Sequence, residues 1–73
     1  MPKGTIYFEG RRGRGSEVYG YRVEGLPGVT IAVGSDLSRN ELLRTARRYN
    51  GYRPVFRSIP NGLQTELKRN LRH

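Results

Sequence analysis

Three segments in the first half of the chain alternate apolar and polar side chains with the two-residue period of β-strands. They span residues 5–9, 17–23 and 29–33. The apolar residues that share a face within each segment are Ile6 and Phe8, then Tyr19, Tyr21 and Val23, then Val29, Ile31 and Val33. The pattern predicts three strands, each with one apolar face.

The connection between the second and third segments determines which side chains lie opposite each other. Residues 24–28 contain turn-forming residues. A loop of all five places Tyr21 opposite Ile31, whereas a loop shorter by one residue places Arg22 there. Because the first register keeps one face of the sheet apolar, we predict that register.

A helix is predicted after these strands. Ser38 and Glu41 have the spacing of a capping box, and Ser35 and Asp36 are alternative caps. Residues 50–51, Asn-Gly, are typical of a left-handed helix stop. The apolar residues that recur at helical spacing between these signals are Leu42, Leu43, Ala46 and Tyr49.

Two weaker patterns follow the helix. Residues 53–57 predict a short fourth strand, and Pro54 indicates an edge position because proline cannot donate a ladder hydrogen bond. Leu63, Leu67 and Leu71 recur every four residues and predict a weak C-terminal helix, since short helices need tertiary support.

These elements predict an α+β fold in which a small three-stranded antiparallel sheet packs on one helix. The short fourth strand and the weak C-terminal helix are additions to this unit. We assign residues 1–60 to a single domain. Residues 61–73 are expected to form a C-terminal tail that is weakly helical or partly disordered.

Charge is the most informative property of the composition. The 73 residues contain 14 basic and six acidic side chains, a net charge of +8, and no cysteine. Such a balance attracts polyanions, whether nucleic acid, an acidic protein surface or an anionic membrane. Twelve of the basic residues are arginine, which binds phosphate bidentately. A GC-rich coding sequence would favour arginine as well.

Catalysis and membrane insertion are not expected. The single histidine is the last residue, His73, there is one aspartate, and no carboxylate pair has a useful spacing. We predict no enzyme activity, no metal and no cofactor. The absence of a long apolar segment predicts no contact with a membrane and a cytoplasmic location. We expect a monomer.

Two groups of arginines are candidate binding residues. Arg11, Arg12 and Arg14 lie among glycines, where we predict a flexible hairpin loop; a solvated loop is the alternative. The second group lies opposite the apolar stripe of the helix, with little acidic charge nearby, and opposite signs would be interspersed on an ordinary surface. It comprises Arg44, Arg47 and Arg48, with Arg53 close in sequence. Tyr7 and Tyr52 are the tyrosines expected to be exposed.

The predicted order of three strands and a helix, over residues 5–50, is similar to the arm-binding N-terminal domain of tyrosine integrases and to plant AP2-type domains. That similarity is topological only. It implies a sheet that enters the major groove, with Tyr7, Arg22, Thr30 and the arginine loop touching DNA. A sequence-tolerant module that binds double-stranded DNA or RNA through the sheet face and the arginine-rich loop is therefore the alternative to the function that we predict next.

Four features of the whole chain suggest another relationship: the start at residues 1–4, the β-rich half, the arginine loop at 11–15 and the arginine-rich end at His73. With them the chain resembles small phage-encoded transcription regulators. This resemblance implies binding to host RNA polymerase, near the N-terminal region of β′ and the β flap. It further implies inhibition of initiation by displacement of the sigma factor, and suppression of termination. DNA or nascent RNA would be additional partners.

Overall fold

Four strands and two helices make up the structure, a computed structural model that describes residues 3–13 and 17–72. The predicted α+β class is confirmed, and the sheet has four strands rather than three. The elements in chain order are β1 (Thr5–Arg12), β2 (Glu17–Leu26), β3 (Val29–Leu37), α1 (Arg39–Arg48), β4 (Arg53–Arg57) and α2 (Asn61–Leu71).

The sheet is mixed, with the strand order β3-β2-β1-β4. β1, β2 and β3 form an antiparallel meander, whereas β4 pairs parallel to β1 at the other edge. Phe56 of β4 lies opposite Phe8 of β1, and their rings stack with centroids 5.7 Å apart. The predicted edge position of the strand that contains Pro54 is confirmed. α1 provides the crossover that a parallel connection requires.

The capping box predicted at the start of α1 is present. The Ser38 hydroxyl accepts a hydrogen bond from the Glu41 backbone N–H at 3.2 Å, and the Glu41 carboxylate accepts one from the Ser38 N–H at 2.9 Å. Both donors would otherwise lack a partner in the helix. Leu42 and Ala46 are fully buried against the sheet, as the apolar stripe predicts.

The C-terminal segment is part of the domain and not a tail attached to it. Leu63, Leu67 and Leu71 of α2 are buried in the same core as the strand residues. The Gly51 N–H donates to the Leu71 carbonyl at 2.8 Å, which ties the end of α2 to the loop after α1. The domain boundary predicted at residue 60 therefore does not divide the fold into separate structural units. Tertiary packing supplies what the thin leucine stripe lacks alone.

Both helices cover one face of the sheet and leave the other face open. The core between sheet and helices comprises Ile6, Phe8, Tyr19, Val23, Leu42, Ala46, Ile59, Leu63, Leu67 and Leu71. α1 contacts β2 and β3, and α2 contacts β4. Among the described residues, neither helix is long and apolar enough to cross a membrane.

The pairing of β2 with β3 differs from the predicted register. The strands extend to Leu26 and Val29, so the turn contains only Pro27 and Gly28, and Gly28 has a φ of 80°. Proline followed by a glycine of positive φ is the residue preference of a type II turn. Gly34 consequently lies opposite Tyr21, where we expected Ile31, and Val33 lies opposite Arg22.

This register leaves Val29, Ile31 and Val33 outside the core. A shift of one residue moves every side chain of a strand to the other face. Ala32 is the β3 residue that lies opposite the buried Val23. Val29, Ile31 and Val33 keep 49%, 54% and 67% of their surface exposed, so the prediction that they line the core is wrong.

Candidate functional site

Basic charge is concentrated on the helical layer. The segments 39–48 and 61–72 contain seven basic and two acidic residues, a net +5 of the chain's +8. The basic residues of this layer are Arg39, Arg44, Arg47, Arg48, Lys68, Arg69 and Arg72, and the acidic ones are Glu41 and Glu66. The predicted helix arginines thus belong to a larger surface that α2 completes.

The centre of this surface is a cleft of about 560 Å³ between α1 and α2. Arg44 and Arg47 line it from α1, and Arg69 lines it from α2, beside the amides of Asn40 and Asn70 and the carboxylate of Glu66. We call the three arginines the cleft arginines. They come from two helices, so the cleft depends on how those helices are held together.

Two polar contacts hold the helices side by side. The Arg39 guanidinium forms an ion pair with Glu66, and the Asn70 side-chain amide donates to the Leu43 carbonyl at 2.9 Å. Because residue 39 meets residue 66 and residue 43 meets residue 70, the two helices run in the same direction. Their C-terminal ends therefore lie together and present the cleft arginines from a fixed frame.

The cleft arginines are exposed and unneutralised. Within residues 3–13 and 17–72, none of the three forms an ion pair or a side-chain hydrogen bond with another described residue. Arg39, in contrast, is neutralised by Glu66. Arg47 and Arg69 also lie in the last turns of their helices, where the helix dipole favours cations. An anion that enters the cleft would meet three guanidinium groups that form no ion pair with a described residue, and one carboxylate, that of Glu66, which is paired with Arg39.

Tyr7 and Arg22, both predicted to lie on the exposed sheet face, are brought together there. The guanidinium of Arg22 lies 4.3 Å from the centroid of the Tyr7 ring. Both side chains contact Glu24, with Arg22 Nη1 at 2.8 Å from Oε2 and the Tyr7 hydroxyl donating to Oε1 at 3.0 Å. Sequence reasoning did not include Glu24, whose pairing with Arg22 leaves this arginine partly neutralised.

The Arg22 guanidinium, and after it the Tyr7 hydroxyl, lower the pKa of the Glu24 carboxyl below its ordinary value by hydrogen bonding to the carboxylate. We expect a carbon-13 titration to show this low pKa. Arg22→Ala should raise it more than Tyr7→Phe. The carboxylate contacts stabilise the fold above the ordinary glutamate pKa, and this contribution is lost as pH falls through the lowered value. A Glu24 titration unchanged in both variants would contradict the contacts.

The predicted arginine loop is shorter than expected. Arg11 and Arg12 belong to β1, where they pair with Val18 and Glu17 of β2, so they are not loop residues. The hairpin continues through them because its backbone hydrogen bonds do not require apolar side chains. Arg14 lies outside the described residues.

A second depression, of about 650 Å³, lies on the open face over Gly20. Its charged walls are largely self-neutralised, because Glu9 lies 3.2 Å from the Arg11 guanidinium and 3.9 Å from that of Arg57. The side chains of Tyr7, Arg22 and Val55 complete the walls. Each arginine that lines this depression therefore has an acidic partner, whereas the cleft arginines form no ion pair with a described residue.

Tyr52 and Arg53 do not join the helix arginines. Tyr52 packs against the core and meets the Tyr49 ring edge-on, with centroids 5.4 Å apart, so the expectation of an exposed Tyr52 is wrong. Arg53 pairs with Thr5 in the sheet, and alternation along β4 places its side chain on the open face. Arg48 is exposed on α1 but does not line the cleft.

The sequence analysis missed Arg69. The leucine stripe contains the signal that identifies it, because burial of Leu67 and Leu71 turns positions 68, 69 and 72 outward on a helix. Among residues 3–13 and 17–72, no group of three or more His, Cys, Asp or Glu side chains has the geometry of a metal site.

Comparison with protein-family models, with curated proteins and with solved structures finds no match to this chain. The two resemblances drawn from the sequence therefore stay predictions. Two surfaces of the structure are informative about function: a basic cleft between the two helices, and an open, partly apolar sheet face on the other side.

Proposed function

We propose that the protein is a non-enzymatic nucleic-acid-binding module that holds a phosphate backbone against its helical layer. The observation that carries this proposal is the set of unneutralised cleft arginines, Arg44, Arg47 and Arg69, presented by two helices in a fixed relative position. Phosphate is the anion that fits an arginine cluster best, because the planar guanidinium fork binds two phosphate oxygens at once.

The rigidity of the frame favours binding. Leu42 and Leu67 are fully buried, so both helices are ordered before any ligand arrives. Contacts from an ordered scaffold lose less conformational entropy than contacts from a flexible loop. Phosphate contacts position a protein but read no bases. The proposed binding is therefore tolerant of sequence.

Salt dependence tests this function. We expect the affinity for a fluorescent DNA duplex, measured by anisotropy, to fall steeply between low and high salt. Each neutralised duplex phosphate contributes about −0.9 to the slope of log affinity against log salt, so three cleft contacts alone contribute about −2.7. An RNA duplex of equal length should behave similarly, since the contacts are made to phosphate. An affinity that stays constant as salt rises would contradict the proposal.

A second candidate function is regulation of host RNA polymerase, as the phage resemblance implies. It is supported by the open sheet face, where Val33 and Val55 remain exposed on the side away from the helices. Exposed apolar surface is typical of protein interfaces. A protein with one face for polymerase and another for nucleic acid suits a factor that acts near the nascent transcript.

The proposed partner surfaces are the β′ N-terminal region and the β flap, and the proposed effects are loss of sigma, inhibited initiation and reduced termination. This function places the protein in the host cytoplasm. Sedimentation of the full chain with polymerase holoenzyme tests it. Co-sedimentation at high salt, where nucleic-acid binding is screened, supports the function, and complete absence of co-sedimentation contradicts it.

A further inference from the structure

One edge of the sheet differs sharply from the other in its chemistry. β4 contains Arg53, Pro54 and Arg57, and charged residues and proline prevent further strands from pairing with an edge. β3, at the opposite edge, has Asp36 as its single charged residue. Leu26 and three β3 residues form an exposed apolar group that we call the β3 strip: Leu26, Val29, Ile31 and Val33, 49% to 68% exposed.

The backbone of β3 is able to pair with another strand over a short length. Ala32, Val33 and Gly34 are in regular register with residues 21–23 of β2, and the register shifts on both sides of this stretch. The outer side of β3 has no strand beside it in the sheet order. An incoming extended segment would find free backbone groups there, with Val33 and Ile31 beside them to contact its side chains.

A second copy of this chain fits this edge poorly. Each copy has a net charge of +8, so two copies repel each other. Packing two open faces together would bury Arg22, Arg53 and Arg57, and desolvation of such charges is unfavourable.

We infer that the β3 edge binds an extended segment of an acidic protein, which adds a fifth strand and places apolar side chains against the β3 strip. Alternate side chains of the segment share a face, so an apolar residue of the segment would cover Val33 on the open face. The irregularity between Ala32 and Thr30 sets Ile31 apart from this alternation. Negative charge on the partner complements the charge of this chain. The inference rests on the protein-binding function proposed above, to which it adds the site and the chemistry of the bound segment.

A synthetic peptide tests the inference on the full chain. The probe is a capped peptide of about ten residues in which valine alternates with glutamate or threonine. The control peptide has the same sequence except that proline replaces one central valine, which removes a backbone hydrogen-bond donor. Titration followed by amide NMR should show slowed hydrogen exchange with the first peptide at alternate residues of 31–34, those whose N–H groups point away from β2, and no such change with the second.

Matched variants identify the edge. Val33→Lys places a charge in the β3 strip, while Val55→Lys places the same charge on the open face of β4; both positions are exposed, and thermal melts check that both variants fold. We expect Val33→Lys to weaken peptide binding at least tenfold and Val55→Lys to leave it unchanged. Equal effects of the two variants, or no binding of the parent at millimolar peptide, would overturn the inference.

Two further measurements separate this inference from the functions proposed above. Polymerase that sediments equally with the parent and with Val33→Lys would overturn the β3 edge as the docking site while leaving the polymerase function intact. Peptide binding by the parent without any polymerase binding would support the edge and contradict the polymerase function. A sedimentation mass that doubles with protein concentration, and does so less in Val33→Lys, would overturn the acidic segment in favour of a second copy.

Discussion

Leu67→Ala should remove most of the free energy of unfolding of this domain. Leu67 is fully buried, with 0% of its surface exposed to solvent, and it belongs to the same core cluster as Ile6, Phe8 and Leu63. A buried leucine replaced by alanine loses about 2–5 kcal/mol, through lost burial and the cavity that remains. A domain this small has a total stability of only ~5 kcal/mol. Urea denaturation followed by circular dichroism measures the difference.

Thr65→Ala is the control for this substitution. Thr65 lies on the exposed side of the same helix, and its hydroxyl donates to the Asn61 carbonyl. The expected change is within about 0.5 kcal/mol, as is usual for surface positions. If Leu67→Ala were as stable as Thr65→Ala, α2 would be dispensable for the fold, and the C-terminal segment would be the tail that its sequence suggested.

The second large effect is expected from neutralising the cleft arginines. The triple variant Arg44→Gln, Arg47→Gln and Arg69→Gln removes three positive charges from the cleft. Because each lost duplex phosphate contact makes the slope of log affinity against log salt shallower by about 0.9, the slope should change by about 2.7. At ~0.1 M salt this corresponds to an affinity reduced roughly 10²- to 10³-fold.

The matched control removes the same charge from the sheet layer. Arg12→Gln, Arg53→Gln and Arg57→Gln leave the net charge equal to that of the cleft variant, but none of the three residues lines the cleft. We expect the affinity of the control variant for the duplex to fall less than about tenfold, because only general electrostatic attraction is weakened. Equal losses in the two triple variants, measured by anisotropy, would show that net charge and not the cleft determines binding.

Local sequence signals predicted the elements of this fold because those signals act over a few residues. The capping box of Ser38 and Glu41 determines where α1 starts, and Pro54 marks β4 as an edge strand. The leucines of α2 predicted a helix, but its stability depends on contacts with residues far away in sequence, such as Ile6. A stripe of three leucines does not show how much apolar surface the rest of the fold offers to the helix.

The β2–β3 register was not predictable by the same reasoning. Choosing the register that buries the most apolar side chains assumes that every apolar residue of a strand lies in the core. The β3 residues opposite Val23 and Tyr21 are Ala32 and Gly34, and Leu37 also packs against the core. Gly34 is needed at its position because the Tyr21 ring would lie 2.3 Å from an added Cβ. The ring of Tyr21 fills the space that a larger β3 side chain would occupy.

The candidate site was predictable in part. Arg44 and Arg47 follow from their position opposite the apolar stripe of α1, which is a local property. Their association with Arg69 requires the packing of two helices that β4 separates in sequence. The prediction that Arg11 and Arg12 lie in a loop was wrong. The glycine- and arginine-rich composition suggested a flexible segment, whereas cross-strand pairing with β2 continues through both residues.

The parallel pairing of β1 with β4 has a consequence for how the chain reaches this fold. Thr5 pairs with Arg53, 48 residues later in the chain, whereas β1, β2 and β3 are joined by short hairpin connections. Closing a long loop before its contacts form slows folding, so the search for the β1–β4 pairing should limit the folding rate. The meander and α1, which packs on β2 and β3, can form early, but the core is complete only after β4 docks and brings α2 with it.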